Sequence, residues 1–369
     1  MGTVAVFGGA GLVGSTVTRE LAHFPDVTSI HLFDVNARAM EIEATDAAMV
    51  AEKLRPESLR VQTQVLDMMD PAAIAEALSS CGADVVIQAA TPRNWYSFPG
   101  RFEPDVWRRL NHEGRMGPWL PLFLLLPANL MTGRQLAGLS MPVVQISYPD
   151  AVNAVLAAVD LTPTCGCGNS ENIATIMRLV AAEHLDVAVQ DVRVQLVANH
   201  FHAWALAADD PEMTERPMWF RIYARAAEVT KQLDNETYWA HVRRIYPRQR
   251  PMFAATSAVQ NAVRLLRDDR TLSHVTAPGG FPGGVDTRLG ADGPEIVLPD
   301  ELPEADAIAL LTRAQQGDGI DGIDPDGSVR MVPQCAEVMR EITGYDCDVL
   351  RFGEVADRAA ELIERLPGD

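Results

Sequence analysis

The apolar positions of the chain fall into short continuous runs separated by longer stretches of helical period. Val4-Ala5-Val6-Phe7 is the first run and passes directly into Gly8-Gly9-Ala10-Gly11-Leu12-Val13-Gly14. Runs of this kind, bounded by turn residues, suit strands buried on both faces. The same signal predicts strands at Ile30-His31-Leu32-Phe33, Val61 to Leu66, Asp84 to Ala90 and within Pro142 to Asp150. Between them, Thr16 to His23, Ala37 to Leu54 and the stretch opened by Asp70-Pro71 predict helices, the last with an acid cap and a first-turn proline. Trp119 to Met131 is the longest apolar stretch; with Pro121, Pro127 and Asn129 it predicts a buried helix with a broken end, too short to cross a bilayer.

Beyond Asp150 the character changes. Thr164-Cys165-Gly166-Cys167-Gly168-Asn169-Ser170 precedes a helix from about Glu171 to Glu183, and Val192 to Val197 alternates as a strand that delivers Ala198-Asn199-His200-Phe201-His202-Ala203-Trp204. A long helical region is expected over Arg216 to Asp268, interrupted at Pro247 and Pro251. Glycine turns at Pro278 to Gly284 and Gly290 to Gly293 flank short strands. Pro303 to Gln316, Cys335 to Thr343 and Glu354 to Leu366 predict helices, and Arg330-Met331-Val332 a strand. Strands alternating with helices imply an α/β fold, a Rossmann doubly wound parallel sheet over residues 1–153, followed by an α+β substrate domain over 154–369.

The glycines carry the first chemistry. Gly9, Gly11 and Gly14 fit G-x-G-x-x-G, in which a tight turn, close backbone approach and tight helix packing place a pyrophosphate at a helix N-terminus. Twenty positions after Gly14 comes Asp34, at the end of the second apolar run, where an acid can bind an adenosine ribose. An acid there repels a 2′-phosphate, so NAD is expected over NADP, with Arg38 the nearby cation that could oppose this.

Charge narrows the partners. A net charge of −19 over 369 residues argues against a nucleic acid or an acidic membrane surface. Basic residues are nearly all arginine, with Lys53 and Lys231 as the lysines, which leaves a Schiff-base mechanism few candidates. Five cysteines in no repeated C-x-x-C frame suit a reducing compartment, and the N-terminus shows no basic signal-peptide region, so a cytoplasmic location is expected.

The loop Thr91-Pro92-Arg93-Asn94-Trp95-Tyr96-Ser97-Phe98-Pro99-Gly100-Arg101 leaves the carboxyl end of a parallel strand. It is a candidate lid, or a surface loop whose aromatics fill a gap. Arg93 and Arg101 are candidate forks for an anionic substrate, and Arg250 could reach the same pocket. A histidine exchanges protons near neutrality, which makes His200 the first candidate acid and base. His202, two positions along an expected strand, shares its facing and ranks second. Cys165 and Cys167 could hold a soft metal with His200, or be small buried residues in a tight turn.

Over roughly residues 3 to 315 this order of parts resembles the malate and lactate dehydrogenase superfamily. The matching segments are Gly9 to Gly14, Asp34, Ala89-Ala90-Thr91-Pro92-Arg93, Asn111, Pro149, His200 and the Gly290 to Val297 hairpin. The resemblance implies hydride transfer between NAD and a small polar or anionic hydroxy or keto compound. His200 would exchange the proton, and Arg93 and Arg101 would close over the anion. It implies a cofactor set of Gly8, Gly9, Gly11, Leu12, Val13, Gly14, Asp34, Ala89, Ala90, Thr91, Asn111 and Ser147, and a substrate set of Arg93, Arg101, Asn111, Asn199 and Arg250. A homodimer or homotetramer is likewise implied.

Three departures stand against this pattern. Tyr148 replaces the strand-end asparagine, no Asp-x-x-Arg occurs in Asn169 to Ile176, and Ala198-Asn199-His200-Phe201 replaces Gly-Glu-His-Gly. Glu171 is then the candidate carboxylate to orient His200. Asn199-His200 with Trp204 and Cys167 also resembles the NAD- and metal-dependent glycosidases of family 4, which implies an alternative with a metal on Cys167 and His200. A further alternative is an NAD-binding protein without catalysis.

Overall fold

The computed structural model describes residues 1–55, 57–208, 216, 218–246 and 251–367. Its first half is β1 (Gly2–Phe7), α1 (Leu12–Leu21), β2 (Val27–Asp34), α2 (Ala37–Leu54), β3 (Arg60–Val65), α3 (Pro71–Cys81), β4 (Val85–Gln88), α4 (Pro104–His112), α5 (Leu120–Leu136), β5 (Val143–Gln145) and α6 (Pro149–Ala158). The sheet does not stop at residue 153, because β6 (Cys165–Gly166) adds its sixth strand, and the order is β3-β2-β1-β4-β5-β6 with every pairing parallel. Strand sequence reverses between β1 and β4. A crevice opens at the carboxyl ends of the strands at such a point.

Alternation along β1 explains the two layers. Ala5 and Phe7, with Val86 of β4, face a core shared with α3, α5 and α6. Val4 and Val6, with Val85 and Ile87, face the other core, beneath α1 and a helix of the second half. Phe7 stacks on Phe33 at 4.6 Å between ring centroids. Asp70 caps α3 as its sequence predicts, its carboxylate accepting from Ala72 N–H at 2.9 Å.

The second half continues with α7 (Ser170–Leu185), β7 (Val192–Val197), α8 (His200–Ala208), β8 (Trp219–Ala224), β9 (Ala227–Glu228), α9 (Thr230–Leu233), α10 (Glu236–Ile245) and α11 (Pro251–Arg267). It ends with β10 (Leu272–Thr276), β11 (Gly284–Gly290), β12 (Gly293–Ile296), α12 (Glu304–Gln315), β13 (Ile320–Ile323), β14 (Val329–Met331), α13 (Pro333–Thr343), β15 (Val349–Leu350) and α14 (Val355–Arg365). Strands β7 to β9, β10 to β12 and β13 to β15 form three small sheets of three strands each. All pairings within them are antiparallel.

Three expectations are corrected. The helical region expected from Arg216 contains β8, because Trp219 to Ala224 pairs residue for residue with β7 and its aromatic and β-branched side chains fit a pleated surface. The segment after β7 is a helix from His200 onward, not an extended strand end. Helix α5 runs through Pro127 to Leu136 without breaking. A proline there removes one backbone hydrogen bond, but the helix is enclosed by α3, α6 and α14, and Asn129 Nδ2 donates to Met68 O at 2.9 Å.

Residues 320–366 fold back onto the first half. Ile320, Val329, Met331 and Leu350 join the core that contains Trp119, Leu120 and Val155. No helix among the described residues is long and apolar enough to cross a membrane. Trp119 is 1% exposed and touches Trp95 and Phe98, each at 5.3 Å between centroids. Trp119→Ala should therefore cost about 3–5 kcal/mol, read as a lower denaturant midpoint.

Candidate active site

A cleft of about 1140 Å³ lies across the carboxyl ends of the parallel strands. Its first-half wall holds Gly8, Gly11, Leu12, Val13, Asp34, Ala89, Ala90, Thr91, Asn111 and Ser147, all expected from the sequence to meet a cofactor. Gly9 and Gly14 lie behind this surface. A Cβ on Gly14 would stand 1.9 Å from Gly8 O, so only glycine lets α1 seat against the turn. Asp34 accepts from Ala10 N–H at 3.1 Å and from Asn36 N–H at 3.1 Å, which clamps the glycine turn to the end of β2. Leu66, Asp67, Met68 and Met69 follow β3 at the same end of the cleft. The bare backbone at the start of α1, flanked by the acids Asp34 and Asp67, fits a dinucleotide whose ribose bears a free 2′-hydroxyl.

Two buried glutamines shape the lips of the next strands. Gln88 Nε2 donates to Ala90 O at 2.7 Å, and Gln145 bridges the backbone of Ser147, accepting from its N–H at 2.7 Å and donating to its carbonyl at 2.6 Å. Tyr148 then sits in the left-handed region at φ 46°, before Pro149 starts α6. Its ring lies 4.8 Å from that of His200, edge to face.

His200 opens α8 and lines the cleft with Ala203 and Trp204. Its Nδ1 is 2.9 Å from each carboxylate oxygen of Asp318, while its side chain stays 18% exposed. A carboxylate accepts, so Nδ1 carries the hydrogen and Nε2 is left for the cleft. Burial works to lower the basicity of His200, but the charge and hydrogen bond of Asp318, reinforced by Asp150, more than offset it and the net shift is upward. Asp150, at the start of α6, is held protonated up to about pH 6 by burial, against the pull of a 2.5 Å hydrogen bond from Asn169 Nδ2 and of the nearby imidazole.

Asp318 is the residue the sequence reading missed. It lies in the turn after α12, where a Cβ on Gly317 would stand 2.3 Å from the Phe201 ring; glycine is what lets this turn reach the start of α8. The Gly317-Asp318-Gly319 pattern was the available signal, an acid between two glycines beyond a helix. With 118 positions separating it from His200, pairing was not readable from spacing.

The other candidates separate clearly. Glu171 does not orient His200: its Oε1 accepts from Thr276 N–H and from Asn261 Nδ2, each at 3.0 Å, and so ties α7 to β10 and α11. His202 does not share the facing of His200, since two helical positions are roughly 200° apart. Its Nδ1 accepts from Asn199 N–H at 3.0 Å, its Nε2–H donates to Arg216 O at 2.9 Å, and burial pushes its pKa down to about 4. Asn199 is also consumed by the fold, donating to Leu311 O and accepting from Phe201 N–H. Arg93 and Arg101 are not among the lining residues, and the Arg101 guanidinium lies 5.9 Å from the Phe98 ring centroid. Arg250 lies outside the described residues.

Cys167 lines the cleft, but burial pushes its thiol well above the usual range, and its Sγ lies 3.8 Å from Gln145 O. Among the described residues no three His, Cys, Asp or Glu side chains are grouped to hold a metal ion.

The architecture is that of the lactate and malate dehydrogenases. The structure superposes on lactate dehydrogenase from Eimeria maxima, solved with NADH and oxamate, with a TM-score of 0.59 and 17% identity over 85% of this chain and 91% of that one. Malate dehydrogenase from Plasmodium falciparum, solved with NADH, gives a TM-score of 0.55 and 13% identity over 86% and 97% of the two chains. Malate dehydrogenase from Salinibacter ruber gives a TM-score of 0.52 and 17% identity over 85% and 94%. Residues 4–101 match the model of the NAD dependent epimerase/dehydratase family. No curated protein matches the sequence.

Burial raises Glu171 from its ordinary 4.5 to about 7. A raised folded-state pKa gives stability that is complete below about pH 4.5 and lost as pH rises through about 7. Glu171→Gln should remove that loss. Thermal melts from about pH 5 to 8 should show the wild type falling relative to the variant by on the order of a few kcal/mol; parallel curves would show that Glu171 ionises normally.

Proposed function

We propose that this chain is an NAD-dependent dehydrogenase that interconverts a small hydroxy compound and its keto counterpart, with His200 as the group that accepts and returns the proton. The observation that carries this reading is the His200–Asp318 pair, which presents an imidazole to the cleft opposite the glycine turn. The strand-end position of the cradle, the acids Asp34 and Asp67 and the dehydrogenase architecture support NAD as the dinucleotide. When bound, NAD supplies the nicotinamide carbon that accepts hydride.

On the protein side, His200 Nε2 takes the hydroxyl proton as the carbinol C–H bond gives up hydride, so the alcohol loses two electrons and two hydrogens and becomes a carbonyl. In reduction, imidazolium returns the proton to the new alkoxide oxygen. Asp318 fixes the tautomer and stabilises the imidazolium in a site whose burial opposes charge. Tyr148 packs edge-on against the ring and holds its plane. The presence of an acid on His200 favours this reading over a non-catalytic dinucleotide-binding protein. The metal-dependent glycosidase alternative needs a thiolate at Cys167, which burial opposes.

His200→Ala should lower kcat by about 10²–10⁴ with dinucleotide affinity retained; a smaller loss would remove His200 from the chemistry. In Asp318→Asn burial acts on His200 without its opposing acid, so the acidic limb of kcat/KM for alcohol oxidation should move to lower pH. A profile unmoved by this substitution would mean the pair is only structural. Asp34→Ala should weaken NAD by about tenfold or more and NADP by less, measured by calorimetry; equal losses would place the ribose elsewhere.

A further inference from the structure

Resting on the dehydrogenase reading, the geometry points to an uncharged substrate with an apolar, ring-sized body, an alcohol or ketone without a carboxylate. The end of the cleft around His200 is walled by Trp95, Met116, Phe123, Tyr148 and Trp204. Trp95 and Phe123 lie 5.5 Å apart between centroids, and Trp95 also rests against Trp107 and Trp119. Among the described lining residues there is no arginine or lysine. Arg115 stacks over the Trp204 ring at 4.2 Å but does not line the cleft.

Besides His200 itself and His112, whose ring meets Trp204 at 5.2 Å between centroids, the polar side chains among the described lining residues of this end are amides and hydroxyls. Asn169 and Asn172, three positions apart at the start of α7, line the cleft with neutral amides, and Asn169 is already committed to Asp150. Behind the imidazole stand two buried carboxylates, Asp150 and Asp318, with 1% and 3% of their surface exposed. A substrate carboxylate here would shed water, meet no guanidinium fork among the described lining residues and face the field of two acids. An aromatic or branched aliphatic group would instead bury apolar surface against the ring faces, leaving a hydroxyl or carbonyl for His200 and a single hydrogen bond for Asn172. Oxidation remains balanced as above, with hydride to NAD and the proton to His200.

Calorimetric titration of the NADH-loaded chain with acetophenone and, separately, with oxamate tests this. Acetophenone should bind with a Kd about tenfold or more below that of oxamate. Oxamate binding as tightly or more tightly overturns the inference, as does binding of neither compound. Asn172→Arg, which would place a guanidinium fork on the same wall, should gain about tenfold in oxamate affinity, and absence of any gain counts against this end of the cleft as the substrate site. A preliminary titration with NADH alone separates the two levels. If NADH does not bind, the dehydrogenase reading fails; if it binds and oxamate is preferred, only the substrate class fails.

Discussion

The site depends on one contact between distant parts of the chain, the carboxylate of Asp318 against Nδ1 of His200. An imidazole packed against Tyr148 and close to Asp150 at the start of α6 would be driven neutral by loss of water. The acid reverses that tendency and raises the basicity of the ring, which still faces the cleft. The contact requires the turn at Gly317 to come within side-chain distance of Phe201. That in turn requires the C-terminal sheet to anchor in the core of the first half, where Ile320 and Val329 are fully buried. Packing far from the cleft thus sets the proton affinity of the imidazole that faces it.

Buried acids in this molecule divide by what meets them. Glu171 is met by donors from two elements, β10 and α11, and works as a joint between them and α7. Asp318 meets the imidazole of His200, with the Tyr148 side chain also in its field, and polarises the ring. Asp150 receives one short hydrogen bond from Asn169 and leaves its other oxygen without a partner, close enough to His200 for each to affect the other's protonation. His202 shows the complementary case. Both ring nitrogens are engaged by backbone, which secures the first turn of α8.

The first half of the fold was legible because its signals are local. Buried parallel strands are continuous apolar runs, the glycine turn has a fixed spacing, and Asp70-Pro71 caps a helix through atoms two residues apart. Elements of the second half were harder to read where the local pattern was ambiguous. Trp219 to Ala224 has no helix-breaking residue, and its strand state is decided by the partner β7. The extension of α8 back to His200 similarly comes from the bonds that Asn199 and His202 make at its start.

By itself the sequence determined the parallel α/β architecture, the dinucleotide-type turn at Gly8 to Gly14, the acid at Asp34 and the histidine at position 200. The architecture follows from periodicity, the turn and Asp34 from glycine geometry and spacing within one strand–turn–helix unit, and the candidate His200 from its chemistry and its place after a later strand. Tertiary structure alone decided that Asp318 is the partner of His200, that Glu171 and His202 serve the scaffold, and that Arg93 and Arg101 stand outside the cleft lining. The physical reason is that charge, burial and hydrogen-bond supply belong to a side chain's surroundings, and those surroundings are assembled here from segments more than a hundred residues apart.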